Sequence, residues 1–360
     1  MSPSTLSGSP SVAAVCAGDG TVRLETRPAP EPGPGEVRLR LRYAGLCGTD
    51  LFKLRSGTAA TGAVLGHEVV GVVEALGDGV AGFAPGDRVV VPHHVACGEC
   101  AYCRRGSEPL CATFQENLLV PGGFSDRLVV RERAVRLAMY GLPPQVTDEA
   151  AVFLEPAACV LRGIRHARVP EVAGGEGCVT VLGGGSMGLL HLLVLRALYP
   201  SLRVVVSDPL PERQDLARRL GAAGAAGTGE DLREEVGRVS AGLGADVVFD
   251  TVGGAALLDS ALALTRPGGT VVLFAHAAPG EAAGFDLNAF FKSERRLLAT
   301  YSSSLAEQRD VLRLLVTGRL DPSPLVTHRL PLSRFDEALA LAFERQALKV
   351  LLTPDLEEQL

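Results

Sequence analysis

From Val12 to about Arg136 the apolar residues come in short β-type runs split by Gly and Pro: EVRLRLRYAG, EVVGVVEAL, DRVVVP and FSDRLVVRE. Runs of this length, bounded by breakers, predict an all-β module with long loops. After Thr147 the pattern changes. Strand-like CVTVLG, RVVVSD, ADVVFDTV and GGTVVLFA alternate with helical SMGLLHLLVLRAL, PERQDLARRLG and ALLDSALALT, which predicts βαβ units around a parallel sheet. Past roughly Tyr301 a helix (AEQRDVLRLLVTG), the segment PLVTHRLPL, a second helix (FDEALALAFERQ) and a final strand (LKVLLTP) follow. No internal repeat or low-complexity tract is found beyond the leader MSPSTLSGSP.

At 360 residues the chain is long for one core, and 47% hydrophobic content is enough to bury two, so a soluble two-domain protein is expected. Net charge is −6 and the Lys and Arg residues are dispersed. That distribution argues against nucleic acid or an anionic membrane as partner and leaves small molecules. The N-terminus lacks the basic-then-apolar pattern of a signal peptide, and no apolar run reaches membrane-spanning length. A disordered leader over residues 1–10 and a cytoplasmic location are the expectations.

Cysteine spacing adds chemistry. Cys97, Cys100, Cys103 and Cys111 stand as C-x2-C-x2-C-x7-C in the hydrophilic stretch CGECAYCRRGSEPLC. So polar a loop cannot fold on a core of its own, and four thiolates on Zn²⁺ supply the missing free energy. Disulfides are the competing reading, but bridges between cysteines so close in sequence close strained loops, and nothing else points to secretion. Of the remaining cysteines, Cys16, Cys159 and Cys178 read most simply as small buried hydrophobes. That leaves Cys47.

In VTVLGGGSMGLL, Gly183, Gly185 and Gly188 form G-x-G-x-x-G after an apolar strand and at the start of a helix, and Asp208 ends the next strand. A bare glycine pattern is weak, but strand, turn, helix, strand and acid together are the context of a dinucleotide site. The pyrophosphate would rest on the helix N-terminus. Ser186 and Met187 within the turn and Arg213 beyond Asp208 are counted with the cofactor residues. Asp208 would accept from both ribose hydroxyls and repel a 2′-phosphate, favouring NAD over NADP. The plain alternative is an ordinary βα turn, with Asp208 capping the helix begun by PLPER.

Cys47 stands in CGTD after VRLRLRYAG, His67 and Glu68 stand in GHE twenty residues on, and Glu155 opens EPAACVLRG. A catalytic zinc site takes three such protein ligands and keeps one position open, and Cys47, His67 and Glu155 meet that count. Each has a duller explanation as well: a buried thiol, a satisfied loop histidine, an acid at a helix N-terminus.

GHEVVGVVEALGDGV, with Gly66, His67, Glu68 and Gly71, resembles the zinc signature of medium-chain alcohol dehydrogenases; the cysteine lobe, the glycine turn and the domain order match too. The resemblance runs from about residue 12 over nearly the whole chain. Within that family, FLEPAACVLRG, PLVTHRLPL and LKVLL are similar to the polyol dehydrogenases of the sorbitol dehydrogenase type.

The resemblance implies an α/β protein: a GroES-like β-rich catalytic domain over residues 11–160 and 302–360, and a Rossmann domain over 161–301, with the active site in the cleft between them. It implies two Zn²⁺ per chain, one catalytic and one structural, and hydride transfer between a polyol's secondary alcohol and NAD. Cys47 and His67 are then zinc ligands, Glu68 a ligand or close neighbour, and Glu155 a ligand directly or through water. Asp50 would orient the ligand histidine, Thr49 would carry the substrate proton, and Lys349 would reach the coenzyme pyrophosphate. One departure is Phe52, where many relatives have histidine, which bears on the outer proton relay or the substrate pocket. A homo-oligomer, dimer or tetramer, is also implied. Alternatives are an amino-alcohol, threonine or aminocyclitol dehydrogenase, or a zinc-stapled dinucleotide-binding protein without catalysis.

Overall fold

The computed structural model describes residues 10–174 and 176–355. The chain divides into two compact units: one runs to Glu155 and resumes at Ser304, and the other spans Pro156–Ser303. The sequence-based boundaries were residues 160/161 and 301/302. Of the expected leader, residues 1–9 lie outside the described residues, while Pro10 opens the strand Pro10–Cys16.

The first unit is built on an eight-stranded sheet. Its main path runs Val326–Pro331, Lys349–Thr353, Val37–Gly45, Glu68–Leu76, Arg88–Pro92 and Tyr140–Gly141, with Arg127–Val130 and Leu119–Val120 branching from Val37–Gly45. Pairing is antiparallel, except that the helix Phe335–Phe343 joins Val326–Pro331 to Lys349–Thr353 in parallel. Pro10–Cys16 and Val22–Pro28 form a separate hairpin whose first strand bridges to Ser125 and Val64 and packs into the same core. Alternate residues of Val37–Gly45, Val37, Leu39 and Leu41, point into the core, as period-two geometry requires of a half-buried strand. Register decides what meets at one end of the sheet: Gly45 pairs with Glu68, and Glu68 with Pro92. Cys47, His67 and His93 therefore leave three adjacent strands at the same end.

The second unit is a six-stranded sheet in the order Gly224–Ala226, Arg203–Ser207, Cys178–Leu182, Ala245–Asp250, Thr265–Leu273, Arg296–Ala299, all parallel. Numbered along the chain this is 3-2-1-4-5-6, the doubly wound dinucleotide-binding order. Cys178–Leu182, at its centre, is buried at every residue, because helices cover both faces of such a sheet. The order reverses between Cys178–Leu182 and Ala245–Asp250, and the glycine turn lies directly after the first of these.

Candidate functional site

The helix Gly48–Arg55 begins immediately after Cys47, its N-cap residue. Asp50, 1% exposed, ties the corner together: its Oδ2 accepts from the Cys47 amide at 3.1 Å, and its Oδ1 lies 3.3 Å from His67 Nδ1. The carboxylate thus directs the other imidazole nitrogen away from itself, as a partner that orients a metal-ligating histidine does. Burial opposes a charge on His67, but Asp50 and Cys47 outweigh it and hold the imidazole well above its usual pKa. The cluster is electronegative and suited to a cation. Ligating atoms of Cys47, His67 and Glu68 lie within 4.8 Å of one another. A thiolate, an imidazole and a carboxylate are the donor set of a catalytic zinc.

Glu68 has a second partner. Lys349, 2% exposed, donates from Nζ to both Glu68 carboxylate oxygens, at 2.9 and 2.7 Å, and to Leu46 O at 3.4 Å. Burial works against the ammonium, yet Glu68 first, then Cys47 and Glu155, raise its pKa. Where the sequence reading had Lys349 reaching the pyrophosphate, the structure turns its ammonium onto Glu68. Gly45 makes room for this pair, since a Cβ there would come 2.0 Å from Glu68 Oε2. Glu155 is buried and close enough to Lys349 to act on its charge, but it does not join the three clustered donors. Thr49 is half-buried on the same helix turn as Asp50, and Phe52 follows it on that helix.

The four cysteines of the lobe are all thiols brought to a point. Sγ separations are 3.8 Å for Cys97 and Cys103, 3.5 Å for Cys100 and Cys103, and 3.6 Å for Cys97 and Cys111. A sulfur tetrahedron around zinc, with bonds of about 2.3 Å, has edges of about 3.8 Å, whereas a disulfide needs about 2.05 Å. Amides of Glu99 and Cys100 donate to Cys97 Sγ at 3.5 and 3.4 Å. The buried apolar cluster of the lobe is small, Ala96, Cys111 and Phe114, and the lobe is tied to the rest of the unit by Leu305 N donating to Glu108 and Arg133 donating to Thr113 O.

In the second unit the helix Ser186–Leu198 starts at the glycine turn with Gly185 as N-cap. A Cβ on Gly188 would sit 1.7 Å from Gly183 O, so the helix approaches the turn only because that side chain is absent. The Ser186 hydroxyl is buried without a partner at the helix start, next to Met187, and a phosphate oxygen would satisfy it. Asp208 is 5% exposed; its Oδ2 accepts from Gly184 N at 2.8 Å and its Oδ1 from Leu210 N at 2.9 Å. A carboxylate has about four acceptor positions, so ribose hydroxyls can still be met. Arg213 Nη1 stands 3.6 Å from Asp208 Oδ2.

Two residues escaped the sequence reading. His93 and His94 follow the strand Arg88–Pro92, and their rings form a series with His67 and Phe114, with centroids 4.5, 3.4 and 5.0 Å apart in turn. Burial pushes His94 down to about 3 and His93 well below its usual value. The signal was present as a histidine pair at the end of DRVVVP, a strand antiparallel to the one that His67 enters.

One doubly wound domain, together with a β-domain that carries a Cys/His/Glu cluster and a four-sulfur cluster, defines a zinc dehydrogenase architecture. Residues 33–139 match the profile of the alcohol dehydrogenase GroES-like domain, and residues 186–317 that of zinc-binding dehydrogenase. L-threonine 3-dehydrogenase of Anaeromyxobacter sp. (strain Fw109-5) is 31% identical, with 93% of this chain and 96% of that protein covered. Sorbitol dehydrogenase of Bacillus subtilis (strain 168) is 29% identical, with 95% and 97% covered. The alcohol dehydrogenase rspB of E. coli CFT073, solved with its cofactor NADH, superposes with a TM-score of 0.85 at 28% identity, covering 96% of this chain and all of that one. The chain belongs to the zinc-dependent medium-chain alcohol dehydrogenase family. It is an oxidoreductase of CH–OH groups, with a small-molecule alcohol as substrate. Among the described residues no helix is long and apolar enough to cross a membrane.

Proposed function

We propose that this chain oxidises the secondary alcohol of a polyol, or reduces the matching ketone, using NAD. The observation that carries the reading is the convergence of Cys47, His67 and Glu68 within 4.8 Å, with Asp50 buried behind the histidine. Cys47 and His67 would hold the catalytic zinc, with Glu68 or Glu155 as the acidic ligand; Cys97, Cys100, Cys103 and Cys111 would hold the structural one. When bound, the zinc supplies Lewis-acid polarisation of the substrate hydroxyl, and the nicotinamide supplies a hydride acceptor.

The chain's own groups do the rest. Asp50 holds the His67 ring and fixes its tautomer. The Thr49 hydroxyl takes the substrate proton and passes it outward. Lys349 neutralises Glu68, which keeps that carboxylate poised beside the site. Ser186 and the amides at the helix start would hold the pyrophosphate of the dinucleotide, with Gly183, Gly185, Met187 and Gly188 forming the turn, and Asp208 would bind the ribose and disfavour a 2′-phosphate. Arg213 beside it keeps some tolerance of NADP. Cytoplasmic location and a homo-oligomer, dimer or tetramer, complete the reading.

The threonine dehydrogenase relative, at 31% identity, favours an amino-alcohol substrate as the second reading. The test is NADH formation by zinc-loaded protein across polyols, simple alcohols, threonine and aminocyclitols, with NADP in parallel. Turnover of a polyol with NAD supports the first reading; turnover confined to threonine replaces it with the second.

A further inference from the structure

His93 is one residue past Pro92, the register partner of Glu68, which puts it level with His67 across the sheet end. The two ring centroids are 4.5 Å apart and the planes tilt by 40°. His93 is only part-buried, yet its Nδ1 is fully enclosed and has no hydrogen-bond partner. No described residue bonds to its other nitrogen either, and that one is not enclosed.

A neutral imidazole carries one proton and can place it on either nitrogen. An enclosed N–H with no acceptor is costly, whereas an enclosed lone pair is less so. The proton therefore belongs on Nε2, and His93 presents an unused N–H donor beside a zinc-ligand histidine. Its ring is packed between His67 and His94, so the donor is held in place rather than swinging freely.

We propose that His93 Nε2 donates a hydrogen bond to a second oxygen of the substrate, on the carbon next to the reacting carbinol, and so selects vicinal diols over monohydric alcohols. This rests on the alcohol-oxidising reading of the Cys47, His67 and Glu68 site. Charge favours a neutral hydroxyl over a substrate carboxylate. Cys47, Asp50 and Glu68 already balance Lys349 and a divalent ion, and Glu155 adds a further negative charge nearby. A site built to bond a hydroxyl rejects the analogue without it far more strongly than an apolar pocket rejects an added one.

The experiment compares butane-2,3-diol with butan-2-ol, which differ by one hydroxyl, on zinc-loaded wild type, H93F and H93Q. Phenylalanine keeps the ring and removes the donor; glutamine keeps an N–H near the Nε2 position. Two readouts are taken: kcat/KM with NAD, and the dissociation constant of each alcohol by calorimetry with NADH present, where no oxidation occurs. Zinc content and melting temperature show whether each variant is folded and loaded. In wild type the diol is favoured about 10- to 100-fold in both readouts. H93F removes most of that ratio through the diol's KM and dissociation constant, and H93Q restores part of it. Turnover of both alcohols with a diol preference unchanged in H93F overturns the role of His93 and leaves the alcohol-oxidising reading standing. Neither turnover nor binding of either alcohol by fully loaded wild type overturns both.

Discussion

The two sulfur-bearing sites of the first unit differ in what surrounds their donors. In the lobe, four like thiols stand 3.5–3.8 Å apart over a buried cluster of only three residues. Around Cys47 the donors are of three kinds, one already shared with a buried lysine, and they sit where three strands of a large sheet end. We infer that the lobe, with so small a core, would lean on a metal for its stability, whereas the donors of the second site are also held by Asp50 and Lys349. A closed site of equal ligands serves folding; an open site of unequal ligands, with a neighbour competing for one of them, serves chemistry.

That contrast can be broken in four places. Cys103→Ser should release one zinc and unfold the lobe, since the binding free energy that holds such loops is on the order of 10 kcal/mol. Limited proteolysis should then cut within residues 97–111, and an uncut lobe would deny the metal its structural role. His67→Ala should lose the other zinc and at least roughly a thousandfold in kcat/KM, about 4 kcal/mol, with the lobe uncut. Lys349→Met leaves Glu68 buried without its cation and should cost about 3–5 kcal/mol in urea unfolding of the metal-free protein, with Lys349→Arg much milder. A neutral result would mean that Glu68 finds another partner when the lysine is gone. Asp50→Asn should weaken zinc at the His67 site about 10- to 100-fold in chelator competition while leaving the lobe's affinity alone.

Much of this was legible in the chain because it is local. C-x2-C-x2-C-x7-C and the glycine turn each carry their geometry within fewer than twenty residues. The switch from breaker-divided strands to strand–helix alternation marks two kinds of sheet, and the family resemblance supplied the discontinuous first domain. What stayed hidden depends on distant pairing. Lys349 and Glu68 are 281 positions apart, and the pairing of Leu351 with Gly45 and of Leu352 with Ala44 brings the last strand beside the one that leads to Cys47. A lone lysine in LKVLL therefore reads equally well as a phosphate ligand. His93 was missed for the same reason: nothing near DRVVVP says that this strand lies antiparallel to the strand after His67 with Pro92 opposite Glu68.

Zinc stoichiometry by elemental analysis of purified wild type, C103S and H67A decides between two functionally distinct metal sites and one. Two zincs per chain in wild type and one in each variant, with only C103S losing its lobe and only H67A retaining a native melt without activity, would bear out the division of labour. A single zinc in wild type, or H67A that keeps two, would contradict it.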